Sequence, residues 1–204
     1  MAFASQAQSD STIRKGLFRL NIDLLSPVYG YFSDVPKQRM GGEAMLEFSK
    51  NDTLFFLAEV GYHRMDLTKT FFQTVSSGEF LRLGVNRSLM KYNSKRDYDI
   101  LYVGARVSGS VYNLQYPSFV EASPYWGSTS ISVPSANYVA LWTEGVLGAR
   151  IETFKNLFLG FDVRGSLLIY DFNRTDYKTL FVPGFGNPQN GVSLWASYSI
   201  GYKF

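Results

Sequence analysis

Charged residues recur on every second position of segments that are otherwise apolar. Arg19 and Asp23, Glu43 and Glu47, Glu59, Arg82, Arg106, Glu144, Arg150 and Glu152, and Asp162 and Arg164 all fall this way. Paired carboxylates can act as general acid and base, and alternating acids and guanidiniums can relay protons or pass a polar solute. The competing reading is a buried ionic filling. An isolated buried charge costs on the order of several kcal/mol, so charges that share an interior must pair. Every acid here has an arginine within reach of such pairing. The expected arrangement is therefore an interstrand network of arginine–carboxylate pairs with trapped water, which fills an interior without catalysing anything.

His63 is the single histidine of the chain. A histidine beside a serine or carboxylate at an outer rim is the layout of lipid-modifying barrel enzymes, and Ser108 or Ser110 would complete it if the fold brought them together. The surrounding His-Arg-Met-Asp matches no hydrolase motif, so a polar rim histidine is the expectation. No metal site or cofactor is expected. Asp171, Asn173 and Asp176 lack the spacing and closing glutamate of a calcium loop, and the absence of cysteine removes thiolate ligands. Gly184 and Gly186 make no phosphate cradle because no helix follows them, and read instead as a rigid loop.

The elements that position these charges are strands of period two. Residues 192–204 alternate Val192, Leu194, Ala196, Tyr198, Ile200, Tyr202 and Phe204 on one face with Ser193, Trp195, Ser197, Ser199, Gly201 and Lys203 on the other. Seven earlier segments, 16–25, 39–50, 53–64, 79–88, 98–112, 138–153 and 157–170, repeat the rule, with apolar residues outward and the charges inward. Each has about the length that crosses a bilayer as a tilted strand, and no apolar run is long enough for a membrane helix. The expected fold is all-β, an eight-stranded antiparallel up-and-down transmembrane β-barrel over residues 16–204. A lipid-facing wall around a polar interior also reconciles 17% aromatic residues with a mean hydropathy of −0.08. A soluble β-sandwich or lipocalin-like binder is the alternative, and it predicts solubility without detergent.

Connection lengths alternate. Residues 51–52, 93–94 and 154–156 are short turns, whereas 26–38, 65–78, 113–137 and 171–189 are long loops. Short turns on the periplasmic side and long loops outside would place both termini in the periplasm of a bacterial outer membrane. Residues 1–15 read as a signal-peptide remnant and flexible segment, from Ala2-Phe3-Ala4 and Ser5-Gln6-Ala7-Gln8. The net charge of +3 has no basic stripe behind it, so nucleic acid is not an expected partner; basic rim residues meet lipid phosphates instead.

The long loops are rich in aromatics. Tyr116, Phe119, Tyr125 and Trp126 stand in one, Phe71 and Phe72 in another, and Phe181 and Phe185 in a third. Rigid aromatics among small polar residues suit a docking surface, and these eight are the expected partner-binding set. Trp142, Tyr102 and Trp195 would line a pocket if the interior were instead a narrow channel or a conduit for an apolar ligand.

The aromatic end formed by Tyr198, Tyr202 and Phe204 resembles the carboxy-terminal insertion signal of bacterial outer-membrane proteins, which implies delivery to barrel-insertion machinery. The segments Phe80-Leu81-Arg82-Leu83-Gly84-Val85, Tyr98 to Arg106, Lys155 to Phe161 and Val182-Pro183-Gly184-Phe185-Gly186 resemble an uncharacterised barrel family of Bacteroidota outer membranes. That resemblance implies an eight-stranded barrel with no assigned activity and no catalytic residues to carry over. By analogy with accessory subunits of outer-membrane assemblies, including the barrel-assembly machinery, the expected function is a non-enzymatic subunit of an envelope complex. Its expected partners are outer-membrane lipid or lipopolysaccharide and other outer-membrane proteins or lipoproteins. A lipid A or phospholipid-modifying enzyme at the outer rim is the alternative from a different class.

Overall fold

The computed structural model describes residues 17–24, 39–51, 53–69, 72–90, 99–123, 127–172 and 179–204, and only the backbone at 17, 39, 50–51, 119–123 and 127–131. The expected signal remnant at 1–15, the connection 26–38 and the turn at 93–94 lie outside these residues. Eight strands run β1 (Leu17–Asp23), β2 (Arg39–Asn51), β3 (Leu54–Thr68), β4 (Phe72–Ser88), β5 (Ile100–Ser123), β6 (Gly127–Phe154), β7 (Leu157–Asp171) and β8 (Val192–Lys203). Each pairs antiparallel with its sequence neighbours, and β8 returns to β1, with Arg19 opposite Lys203 and Asp23 opposite Ser199. The result is a closed ring of eight antiparallel strands, with no helix among the described residues.

The period of two fixes which way each side chain points. Along β5, Leu101, Val103, Ala105, Val107 and Val111 are exposed on the outer wall, while Tyr102, Arg106, Ser108 and Ser110 are buried inside. A register slip by one residue would exchange these sets and strand the charges outside. The turn between β6 and β7 is closed by Asn156 at φ 67°, a left-handed position that asparagine tolerates better than most residues.

Two of the expected long loops are strand. Residues 65–78 belong almost entirely to β3 and β4, and 113–137 to β5 and β6, so the connections there shrink to residues 69–71 and 124–126. The alternation continues past Tyr112 but its polarity inverts. Below that level the inner face is polar and the outer apolar. Above it Tyr112, Leu114 and Tyr116 are buried inside, while Asn113 and Gln115 face out. A pattern keyed to apolar outward residues ends where the outward residues turn polar, although the strand does not.

The interior is layered. At the end that receives the β7–β8 connection, Phe80, Tyr112, Leu114, Tyr116, Ala140, Trp142, Val182 and Phe185 form an apolar cluster. At the end carrying the short turns, Phe55, Ile100, Tyr102 and Val146 form a second. Most of the buried charges lie between them, while Arg150 stands opposite Ile100 at the level of the second.

Candidate functional site

Seven strands, β1 to β7, contribute the charged layer. Arg82 on β4 is its hub. Its Nε donates to Glu144 at 2.9 Å, its Nη1 to Glu43 at 3.1 Å and also to Glu59, and its Nη2 to the Gly184 carbonyl at 2.7 Å. Arg164 donates to Asp162 at 2.8 Å, Glu59 at 2.9 Å and Glu43 at 3.2 Å, and Arg106 donates to Glu59 at 2.8 Å. Nearer the short turns, Glu47 accepts from Arg19 at 3.0 Å and from Arg150. These two guanidiniums also lie over rings, Arg19 4.2 Å from the Phe158 centroid and Arg150 4.7 Å from that of Tyr102.

Eleven of the twelve charged residues read from the sequence are thus buried in one interior. Asp23 is 7% exposed and borders a cavity of about 20 Å³, with Asn21, Arg106 and Ser199. That volume is about the size of one water. Glu152 is the exception. It is half-buried at the β6–β7 turn, where its carboxylate accepts from the Asn156 amide at 2.8 Å.

Residues 181–186 of the connection between β7 and β8 enter the ring mouth. Phe181, Val182, Pro183, Gly184, Phe185 and Gly186 are all buried. A small closed turn links Val182 to Gly186, with Gly184 at φ 81° and Gly186 at φ 106°. A side chain at Gly184 would meet that backbone strain and the Phe80 ring, 2.6 Å from the position a Cβ would take. Ser76 donates to the Phe181 carbonyl at 2.8 Å, Trp195 Nε1 donates to the Phe185 carbonyl at 2.8 Å, and the Phe185 ring packs edge-on against Trp142.

This placement corrects the expected docking set. Phe181, Phe185 and Tyr116 are 4%, 0% and 5% exposed and face the interior, because apolar rings at a mouth narrow enough to be filled gain more from burial than from water. Burial also raises the Tyr116 phenol above its ordinary range, keeping it protonated. Phe72 is half-buried on β4. Phe119 lies on β5 where only backbone is described, and Phe71, Tyr125 and Trp126 lie outside the described residues. Trp142 and Tyr102 are fully buried, Trp142 donating to Glu144 at 2.6 Å, and Trp195 is half-buried. Tyr202 and Phe204 are exposed on the outer wall, with rings 5.1 Å apart, and Tyr198 is half-buried.

His63 is 2% exposed rather than at an open rim. Its Nδ1 accepts from the Gly184 amide at 3.3 Å, and its Nε2 lies 3.2 Å from Glu43 Oε1. The ring packs against Phe80 and Phe181, with centroids at 5.0 and 6.4 Å. Gly41 makes this seat possible, since a Cβ there would fall 2.0 Å from the imidazole. The Ser110 hydroxyl is given to the Glu79 carbonyl at 3.0 Å, and Ser108 stands opposite Arg82 in the register. Asp171 accepts from the Tyr112 hydroxyl at 2.8 Å. Among the described residues no acid and histidine cluster has metal-binding geometry.

A family model described as "Domain of unknown function (DUF6048)" matches residues 2–204, and the chain belongs to that family. No curated protein matches it.

Proposed function

From that membership, which brings no activity with it, we propose that the chain is a non-enzymatic transmembrane β-barrel of a bacterial outer membrane. In this reading it acts as an accessory subunit of an envelope protein complex. The observation that carries the membrane half is the outer wall of β5. Leu101, Val103, Val107 and Val111 are exposed, and polar Asn113 and Gln115 follow at once. Ten residue steps at about 3.3 Å, tilted by about 40°, give an apolar band about 25 Å tall, the height of the lipid-facing belt of such barrels. Val60, Leu83, Leu147, Leu167 and Leu194 continue it around the ring, each more than half exposed.

The reading of a non-enzymatic interior rests on the engagement of the candidate acids, His63 and Ser110, the Ser108 hydroxyl being the exception. The carboxylates are held by guanidiniums, His63 by Glu43 and Gly184, and Ser110 by a backbone carbonyl. Docking then falls to the apolar wall and to the sheet of β3–β6 that stands above the band, rather than to the inturned rings. Tyr125 and Trp126, outside the described residues, remain in this proposal as partner contacts. The orientation has short turns and termini in the periplasm and the standing sheet outside, and lipopolysaccharide is the surrounding lipid of that leaflet.

Affinity purification of the tagged chain from its own outer membrane in mild detergent, with native mass measurement, tests both halves. Extraction that requires detergent and brings stoichiometric partner chains is the expected result. Release without detergent would remove the membrane reading, and a clean monomer would remove the subunit reading.

A further inference from the structure

The charged layer is one positive charge short. Among the described residues, five buried arginines face six buried carboxylates, Asp23, Glu43, Glu47, Glu59, Glu144 and Asp162. The deficit is local. Around Glu47 two guanidiniums serve one carboxylate, whereas Arg82, Arg106 and Arg164 serve the four carboxylates Glu43, Glu59, Glu144 and Asp162. His63 is bound into that second group through Glu43. As an imidazolium it would bring four cationic groups against four anionic ones.

A second constraint opposes that proton. Nδ1 accepts from the Gly184 amide, so it must be unprotonated while the loop is seated. Protonation would set an N–H against an N–H. The charge balance thus favours the proton and the seated loop refuses it, and the two states of His63 correspond to two states of the mouth.

We propose that His63 is a proton-binding site whose occupation unseats the Val182–Gly186 turn from the ring mouth. Glu43 on β2 faces the imidazole directly and favours uptake. Arg82 on β4 and Arg164 on β7 share that same carboxylate and oppose it, at 3.1 and 3.2 Å. Phe80 from β4 and Phe181 from the loop supply the apolar walls, and Glu59 on β3 lies one pair further in, bridged by both arginines. Loss of the Gly184 N–H bond leaves the Gly184 carbonyl on Arg82 and the Phe181 and Phe185 carbonyls on Ser76 and Trp195, so the turn shifts about these three anchors instead of unfolding. The proton comes from water and returns to it, and no other group is consumed. The inference rests on the interior alone and holds whether lipid or protein meets the outer wall.

The chain offers a direct readout, because it has one histidine and three tryptophans. Two of these, Trp142 and Trp195, touch Phe185. The experiment follows the imidazole nitrogens by NMR and tryptophan emission together, on the folded full chain in micelles, from pH 8 to pH 4.5. The expected result is an Nε2–H tautomer at high pH and a doubly protonated ring at low pH. The emission change and faster exchange of the Gly184 amide should follow the same midpoint. His63→Gln, neutral at every pH, should abolish the emission change, and Glu43→Gln should move the midpoint to lower pH. If either variant fails to fold, the wild-type comparison decides alone. An imidazole that titrates while emission and exchange stay flat would overturn the proposal, as would a ring that never titrates while the fold persists, or an emission change that survives in His63→Gln.

Discussion

The connection between β7 and β8 and the paired ends of β5 and β6 begin from the same level of the ring, and both are rich in aromatics, yet they part company. The first turns inward and becomes the upper core; the second carries on upward as sheet. The difference lies in the backbone each sequence allows. Pro183, Gly184 and Gly186 make a tight turn with positive φ that no strand could accommodate. Residues 111–116 keep the alternation of Val, Tyr and Leu with polar partners and pair without a break until the irregularities beyond Leu114. Aromatic content therefore says little about direction at a rim, whereas glycine and proline spacing says a great deal.

The comparison predicts that the inward connection carries stability and the standing hairpin does not. Arg82→Ala should break it most severely. It removes the anchor of the Gly184 carbonyl and leaves Glu43, Glu59 and Glu144 short of a buried cation, at about 4–5 kcal/mol. Urea unfolding in micelles, followed by tryptophan emission, measures this as a lower midpoint at similar slope. Phe185→Ala should come next at about 3–4 kcal/mol, since its ring is fully buried against Trp142. Trp195→Phe keeps the packing and removes one donor to the Phe185 carbonyl, and should cost about 1 kcal/mol in the same assay. Replacing residues 117–132 by a two-residue turn should change ring stability by less than about 1 kcal/mol while abolishing any partner that docks on the standing sheet. A large loss there would erase the distinction between the two regions.

How much of this was legible follows from what each residue must satisfy. All eight strands were readable because one face of each must be apolar while the other is charged, and Arg19, Arg82, Arg106, Arg150 and Arg164 announced the interior by their spacing. The strand ends above Tyr112 were hidden because the polarity rule reverses there, although Asn113, Gln115, Leu114 and Tyr116 still alternate. The inturned loop was hidden for a different reason. Nothing periodic marks residues 179–191, and only the pair Gly184 and Gly186 signalled a fixed turn. The seat of His63 depends on Gly41, Phe80 and Gly184 arriving from three separate stretches of chain, a juxtaposition that no local pattern encodes.

The seam between β1 and β8 also sets a timetable. Its partners, from Arg19 with Lys203 to Asp23 with Ser199, are the most distant in sequence of any in the ring, and the Phe204 amide adds a last bond to the Phe18 carbonyl. Pairings this remote are slow to find, so the other seven seams can zip between neighbours long before this one shuts. Until it does, β1 and β8 present bare edges able to capture any passing strand. Assembly of this molecule is thus a race between its own final strand and its surroundings, and whatever shields those two edges during the wait decides the yield.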